Sequence, residues 1–116
     1  MHEMSIAAEI LNIVERTVQE NGADDVTDIF IEVGSLAGIM IPSLEFGLDI
    51  IKKNTSAREA AIHIEEIPGK GRCPNCELIF PMDFPIEPCP DCESSYLVMT
   101  SGDELRVREI EVERNI

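Results

Sequence analysis

The feature that most constrains this chain is a segment of its second half that is rich in proline and cysteine. Six of the seven prolines and all four cysteines lie between Pro68 and Cys92. Proline lacks a backbone N–H and fits neither the interior of a helix nor a central strand. The sequence therefore predicts that this segment contains neither element, and that something other than packed side chains stabilises it.

The cysteines belong to two copies of a short motif, Cys-Pro-x-Cys-Glu, at residues 73–77 and 89–93. With only two residues between cysteines, both thiolates of a tight turn can face one ion, and two such turns complete a tetrahedron around Zn(II). The predicted zinc ligands are Cys73, Cys76, Cys89 and Cys92. Because four thiolates leave no open coordination position, the predicted site is structural and not catalytic.

Two other uses of these cysteines stay open. A redox-active Cys-x-x-Cys pair is typical of a helix N-terminus beside a βαβ unit, whereas both pairs here lie among prolines. An iron centre uses the same four thiolates, and spacing alone does not separate it from zinc. The apolar residues between the pairs have two interpretations as well, since they either pack around the turns, which the sequence favours, or form a recognition surface. These residues are Phe80, Met82, Phe84 and Ile86.

Helical patterning occurs in two places. Apolar residues recur at gaps of three and four from Met4 to Val18, which predicts an amphipathic helix with a broad buried face. Asn21-Gly22 is a natural stop for this helix, because both residues tolerate the left-handed cap conformation. A second helix is predicted to begin near Pro42, which suits a first helical turn, and to end at Lys52, Lys53 and Asn54, where the two lysines are favourably placed near a helix C-terminus.

Strand patterning occurs over residues 27–34, 60–67 and 104–114, where apolar and polar residues alternate. The last stretch changes phase near Arg108-Glu109, which suggests a bulge or a change of buried face. We predict that it rejoins the first sheet, because isolated strands are not stable. The proline-rich segment is then an insertion.

The predicted fold class is α+β, with a small sheet of about three strands and two helices, plus an inserted zinc-ribbon-like module with four cysteine ligands. The predicted domains are an α/β domain of residues 1–67 and 101–116 and a zinc-binding module of residues 68–100. At 116 residues, the chain has room for one such domain and one small module.

The charge balance narrows the classes of partner. There are 23 acidic residues against 9 basic ones, a net charge of −14. Such a chain is a poor ligand for nucleic acids or anionic membranes, whose binding depends on lysine and arginine. The sequence also has neither a basic leader nor an apolar run long enough to span a membrane. We therefore expect a soluble cytoplasmic protein whose thiols stay reduced.

The N-terminus carries a second candidate metal site. His2 places an imidazole beside the α-amine and the first backbone amides, a nitrogen set that suits the square-planar geometry of Ni(II) or Cu(II). Taken alone, His2 is more simply an ordinary exposed residue. Glu3 is either a carboxylate ligand or an acid placed favourably at a helix N-terminus. The other histidine, His63, is predicted to be half-exposed on a strand face opposite Ile62 and Ile64.

Four motifs together resemble the HypA/HybF family of nickel metallochaperones, which serve the maturation of nickel–iron (NiFe) hydrogenases and, in some bacteria, urease. They are Met1-His2-Glu3-Met4-Ser5, Val33-Gly34-Ser35-Leu36-Ala37-Gly38, the Cys-Pro-x-Cys pairs and Gly102-Asp103-Glu104-Leu105-Arg106-Val107. The resemblance covers essentially the whole chain. One departure is Ser43 after Pro42, where the family commonly has glutamate.

The resemblance implies a nickel-binding α/β domain that carries a zinc module as an insertion. It implies that His2 is the essential Ni(II) ligand, assisted by the Met1 amine and the backbone nitrogens of His2 and Glu3, and that the four cysteines hold Zn(II). The implied function is delivery of Ni(II) as cargo, without enzymatic activity.

The implied partners are a HypB-type GTPase, the NiFe hydrogenase large subunit and, in some bacteria, urease maturation proteins. We expect a monomer or a homodimer. The alternative function is a zinc-ribbon adaptor for protein–protein interaction, without specific nickel transfer and with His2 incidental.

Overall fold

A computed structural model describes residues 3–114 and confirms the predicted α+β class. The chain alternates helices and strands before the proline-rich segment and contains only strands after it. The elements are helices α1 (Glu3–Asn21) and α2 (Ile41–Ile51), a 3-10 turn (Lys52–Asn54), and strands β1 (Asp25–Gly34), β2 (Ala61–Ile67), β3 (Lys70–Arg72), β4 (Ile79–Pro81), β5 (Val98–Ser101) and β6 (Leu105–Glu113).

The strands form two three-stranded sheets, with the orders β2-β1-β6 and β4-β3-β5. The first sheet confirms the prediction of about three strands, and β6 rejoins it after the proline-rich segment. Along β6 the partly buried residues are Val107 and Ile110, three positions apart. A regular strand buries every second residue, so this spacing agrees with the predicted change of phase.

The main core lies between the helices and the first sheet. Ile29 and Ile31 on β1 and Leu44 and Leu48 on α2 are almost wholly buried. Each such side chain stabilises the fold by about 1.5–3 kcal/mol relative to an exposed position. Helix α1 buries one face, at Ile6, Ala7, Ile10, Leu11, Val14 and Val18. Neither described helix is long and apolar enough to cross a membrane.

The face of β1 opposite Ile29 and Ile31 carries a cluster of aromatic and charged side chains that was not predicted from the sequence. The ring of His63 stacks on Phe30 with centroids 4.5 Å apart, and the guanidinium of Arg108 lies 5.3 Å from the same ring centroid. His63 Nε2 is 2.8 Å from Asp28 Oδ1. His63 is exposed and alternates with partly buried neighbours on β2, as predicted.

The chain divides into two compact units. Unit 1 contains the described residues of Met1–Glu32, Ile39–Glu65 and Arg106–Ile116, and unit 2 contains Val33–Gly38 and Glu66–Leu105. The domain boundaries predicted from composition stay a prediction.

Two expectations about the proline-rich segment are wrong. The segment does contain a central strand, because β3 pairs with both β4 and β5. Strand β3 lies in the short proline-free stretch between Pro68 and Pro74, so its N–H groups are available for pairing. Packed side chains also contribute, since Met82 and Leu97 are buried against Cys73 and Cys89.

Candidate metal centre

The two Cys-Pro-x-Cys-Glu motifs fold into matching turns. The amide of Glu77 donates to the carbonyl of Cys73 at 2.8 Å, and the amide of Glu93 donates to the carbonyl of Cys89 at 3.0 Å. Both glutamates are left-handed, with φ of 64° and 57°. This conformation is uncommon for residues other than glycine, asparagine and aspartate. The sequence repeat is therefore a repeat of backbone conformation.

The turns bring the four cysteine sulfurs together, with all four within 4.8 Å of one another. The Sγ atoms of Cys73 and Cys92 are 3.7 Å apart, as are those of Cys76 and Cys89. A tetrahedral Zn(II) ion with Zn–S bonds of about 2.3 Å requires S···S separations of about 3.8 Å. The donor set therefore fits zinc in both chemistry and size.

The sulfurs differ in burial and in the hydrogen bonds they accept. Cys73 and Cys89 are fully buried, whereas Cys76 and Cys92 are partly exposed. The two buried sulfurs accept hydrogen bonds from backbone N–H groups at 3.4 Å. One such group donates to Cys73 Sγ, and two donate to Cys89 Sγ. Cys92 Sγ accepts from two side chains, the hydroxyl of Ser94 at 3.4 Å and the amide of Asn75 at 3.8 Å.

These hydrogen bonds make the thiols unequal acids. Hydrogen bonds from Ser94, with a smaller contribution from Asn75, lower the pKa of Cys92 to about 6. The Leu78 amide lowers the pKa of Cys76, but burial and the neighbouring sulfurs of Cys73 and Cys89 outweigh it and raise that pKa to about 11. Four thiolates this close repel one another, so a cation is needed to offset their charge if all four ionise.

The candidate nickel site falls largely outside the described residues, because Met1 and His2 precede them. Glu3 is the first described residue and opens helix α1, where a carboxylate is favourable. Its Oε2 accepts a hydrogen bond from the Met40 amide at 3.2 Å. Glu3 also borders a groove of about 720 Å³ with Met4, Ser5, Pro42, Ser43 and Phe46.

A comparison with protein families gives a match over residues 1–112 to the family described as "Hydrogenase/urease nickel incorporation, metallochaperone, hypA". The chain belongs to the HypA family. Membership places it among metallochaperones of nickel incorporation, which are maturation factors and not catalytic enzymes. It also confirms the family resemblance inferred from the sequence motifs.

Named relatives agree with this membership. A hydrogenase maturation factor HypA from Parabacteroides distasonis is 40% identical over 114 residues, which is 98% of this chain and 99% of the relative. One from Azoarcus sp. is 40% identical over 110 residues, or 95% and 96% of the two chains. The solution structure of the Ni metallochaperone HypA from Helicobacter pylori superposes with a TM-score of 0.71 at 17% identity, covering 99% of this chain and 100% of that one. That superposition shows a shared fold.

Of the four apolar residues expected to pack around the cysteine turns of this HypA family member, two do so and two do not. Met82 is 2% exposed, and Phe80 packs against the same small core. Phe84 and Ile86, in contrast, are 66% and 74% exposed. Both follow β4 in an irregular stretch that alternates with prolines, where no strand directs alternate side chains inward.

Two residues of the site, Asn75 and Ser94, were not among the predicted site residues. Their contact with Cys92 depends on how the two turns face each other, and Asn75 lies 17 residues before Cys92. The sequence offered one indication of a role for Asn75: the variable position of the repeat is asparagine in the first copy and aspartate, Asp91, in the second.

Proposed function

We propose that this chain is a nickel metallochaperone that binds Ni(II) at its N-terminus and delivers it for the maturation of NiFe hydrogenase. The observation that carries the proposal is the family match, which runs from residue 1 to residue 112 and so includes the N-terminal motif. The proposed ligands are the α-amine of Met1, the imidazole and backbone nitrogen of His2, and the backbone nitrogen of Glu3. Such a nitrogen set favours planar Ni(II).

The position of Glu3 supports a transferable site. Its carboxylate accepts a hydrogen bond from the Met40 amide just before α2, which fixes the first residue of α1. One imidazole and the main-chain nitrogens beside it form a small ligand set, which an acceptor protein can replace stepwise. Delivery requires such replacement, because the nickel site must release its ion to the ligands of the acceptor protein.

We also propose that Cys73, Cys76, Cys89 and Cys92 hold a structural Zn(II) ion. The two 3.7 Å sulfur separations support this assignment, since they match the edge of a tetrahedral zinc–thiolate site. When bound, zinc supplies folding free energy and no open coordination position. The residues around it keep the turns closed. The unit that holds nickel is proposed to comprise residues 1–67 and 101–116, and the zinc module residues 68–100.

Nickel binding is tested with protein that begins at Met1, with no residue before it. Titration followed by the visible absorption of planar Ni(II) is expected to give one site per chain. His2→Ala should lose this site and keep zinc. His63→Ala is the matched control, because it removes the only other histidine. Unchanged nickel affinity in His2→Ala, or loss of the site in His63→Ala, would contradict the assignment.

The zinc site is tested by metal analysis of the purified protein. One zinc per chain is expected, and replacing two of the cysteines by serine should abolish it. An iron content that matches the protein concentration would overturn the zinc assignment in favour of the iron centre that the cysteine spacing leaves open.

The proposed partners are a HypB-type GTPase and the hydrogenase large subunit, with urease maturation proteins in organisms that have them. We propose that delivery takes place in the cytoplasm, by a monomer or a homodimer, and without catalysis. Transfer from nickel-loaded protein to the purified large subunit should exceed transfer from free nickel at the same concentration. Equal transfer from both sources would argue against delivery.

A second candidate function is a zinc-ribbon adaptor without specific nickel transfer. The observation that favours it is the exposure of large apolar side chains on unit 2. These are Leu78, Ile79, Phe84, Ile86, Tyr96 and Val98. Several large exposed apolar side chains on one small unit favour an interaction surface. The nickel titration separates the two candidates, because an adaptor has no saturable planar nickel site.

A further inference from the structure

The two matching cysteine motifs differ in sequence at one position. In the motif Cys-Pro-x-Cys-Glu, the variable residue is Asn75 in the first turn and Asp91 in the second. An asparagine amide donates hydrogen bonds, whereas an ionised aspartate only accepts them. Only the first turn therefore has a side chain at this position that can donate to a sulfur of the other turn.

Asn75 does make that contact. Its Nδ2 lies 3.8 Å from Cys92 Sγ, in the second turn, and 3.3 Å from Ser94 Oγ, in the residue that follows that turn. The hydroxyl of Ser94 is itself 3.4 Å from Cys92 Sγ. The hydrogen bond described for Asp91 stays within its own turn, because its backbone amide donates to Cys89 Sγ. Of the two variable residues, Asn75 is thus the one with a described contact to the other turn.

We infer that Asn75 is a positioning residue of the zinc site, which ties the first cysteine turn to the second and orients the sulfur of Cys92. The inference rests on the proposed zinc site. Residues that hydrogen-bond to metal ligands fix their orientation, and removing one typically weakens metal binding about 10- to 100-fold. Hydrogen bonds also withdraw electron density from a thiolate, so Asn75 protects Cys92 from external electrophiles.

The positions of the cysteines make this protection selective. Cys76 and Cys92 are the two partly exposed ligands, and Cys73 and Cys89 are buried. Of the exposed two, Cys92 is the one that Asn75 and Ser94 cover with hydrogen bonds. Loss of the Asn75 amide should therefore act on Cys92 more than on Cys76.

The test compares Asn75→Ala with Asp91→Ala, which truncates the equivalent, exposed residue of the other turn. Zinc content of the wild-type protein is measured first, and then the rate of zinc transfer to a chromogenic chelator. We expect transfer to be about tenfold faster in Asn75→Ala and changed less than about twofold in Asp91→Ala.

A second measurement locates the effect. Zinc-loaded proteins are treated briefly with iodoacetamide, and modification of each cysteine is quantified by mass spectrometry. Asn75→Ala should raise the modification of Cys92 severalfold relative to wild type, with Cys76 little changed. An equal increase at all four cysteines would indicate general loosening and overturn the inference.

The outcomes separate this inference from the function on which it rests. Wild-type protein that holds no zinc overturns the proposed zinc site. Wild-type protein that holds zinc, with Asn75→Ala and Asp91→Ala releasing it equally fast, leaves the zinc site standing and overturns the positioning role of Asn75.

Discussion

Replacing Gly34 by alanine should destabilise the protein far more than the addition of one methyl group suggests. Gly34 is buried at the end of β1, and its backbone lies outside the left-handed region, so alanine is not excluded by φ. A Cβ at this position would, however, lie well inside 3.0 Å of the carbonyl carbon and oxygen of Gly102, and 2.6 Å from the amide nitrogen of Asp103. Backbone atoms cannot rotate away as a side chain can.

The magnitude follows from the hydrogen bonds that join these two chain segments. The amide of Gly34 donates to the carbonyl of Glu104, and the amide of Leu36 donates to the carbonyl of Gly102, each at 2.7 Å. Relieving the overlap requires the segments to separate by about 1 Å, which breaks both bonds. A buried polar group left without a partner costs about 1–3 kcal/mol. For two such bonds we expect a loss of about 2–6 kcal/mol, a large part of the roughly 5–15 kcal/mol typical of a domain.

Gly38, in the loop that follows β1, provides a matched control. It has φ of +74°, and a Cβ added there would meet nothing within 4 Å. Gly38→Ala therefore incurs only the left-handed strain of about 1–2 kcal/mol. Urea unfolding of the zinc-loaded proteins gives the free energies, and hydrogen exchange at the Leu36 amide reports the local break. If Gly34→Ala is no more destabilised than Gly38→Ala, or if the Leu36 amide keeps its protection, the steric argument is wrong.

Three further predictions concern single side chains. Glu93→Gly should raise stability by about 0.5–1 kcal/mol in thermal unfolding, because glycine removes the strain of its φ of 57°. Glu15→Ala should cost about 1–3 kcal/mol in urea unfolding, since Glu15 accepts from both the amide and the hydroxyl of Ser56. The hydrogen bond from His63 lowers the pKa of Asp28 below 3.8, so this contribution is present above about pH 4 and is lost as the pH falls through the lower folded-state pKa. The stability gap between wild type and Asp28→Asn should therefore be open at about pH 6 and close below about pH 4 in acid titrations.

Regular patterns made much of the fold predictable from the sequence. Helix α1 and strand β1 follow from periodicities of about 3.6 and 2 residues, which are local properties of the chain. Strand β3 was missed because its three residues are too short to show a period, and only pairing with β4 and β5 defines it. Tertiary pairing decides such short elements.

The candidate site divides in the same way. The four cysteines were predictable because each pair is a local motif with metal-ligand spacing. The contact of Asn75 with Cys92 was not, because it joins positions 17 residues apart whose approach depends on both turns being formed. The exposure of Phe84 and Ile86 was likewise unpredictable, since an irregular proline-rich stretch has no period that assigns a face.

The small core of unit 2 explains how the proline-rich segment, Pro68–Cys92, depends on the proposed zinc ion. Its buried residues are Cys73, Met82, Cys89 and Leu97, and two of these four are proposed metal ligands. Burial of Met82 and Leu97 contributes about 3–6 kcal/mol together, whereas a structural zinc ion contributes about 10–16 kcal/mol in small modules. If the proposed zinc ion is bound, it therefore contributes more than the burial of these two side chains. On the proposed assignment, a segment whose prolines exclude long helices and strands remains folded without a large apolar core because its cysteine turns hold one zinc ion.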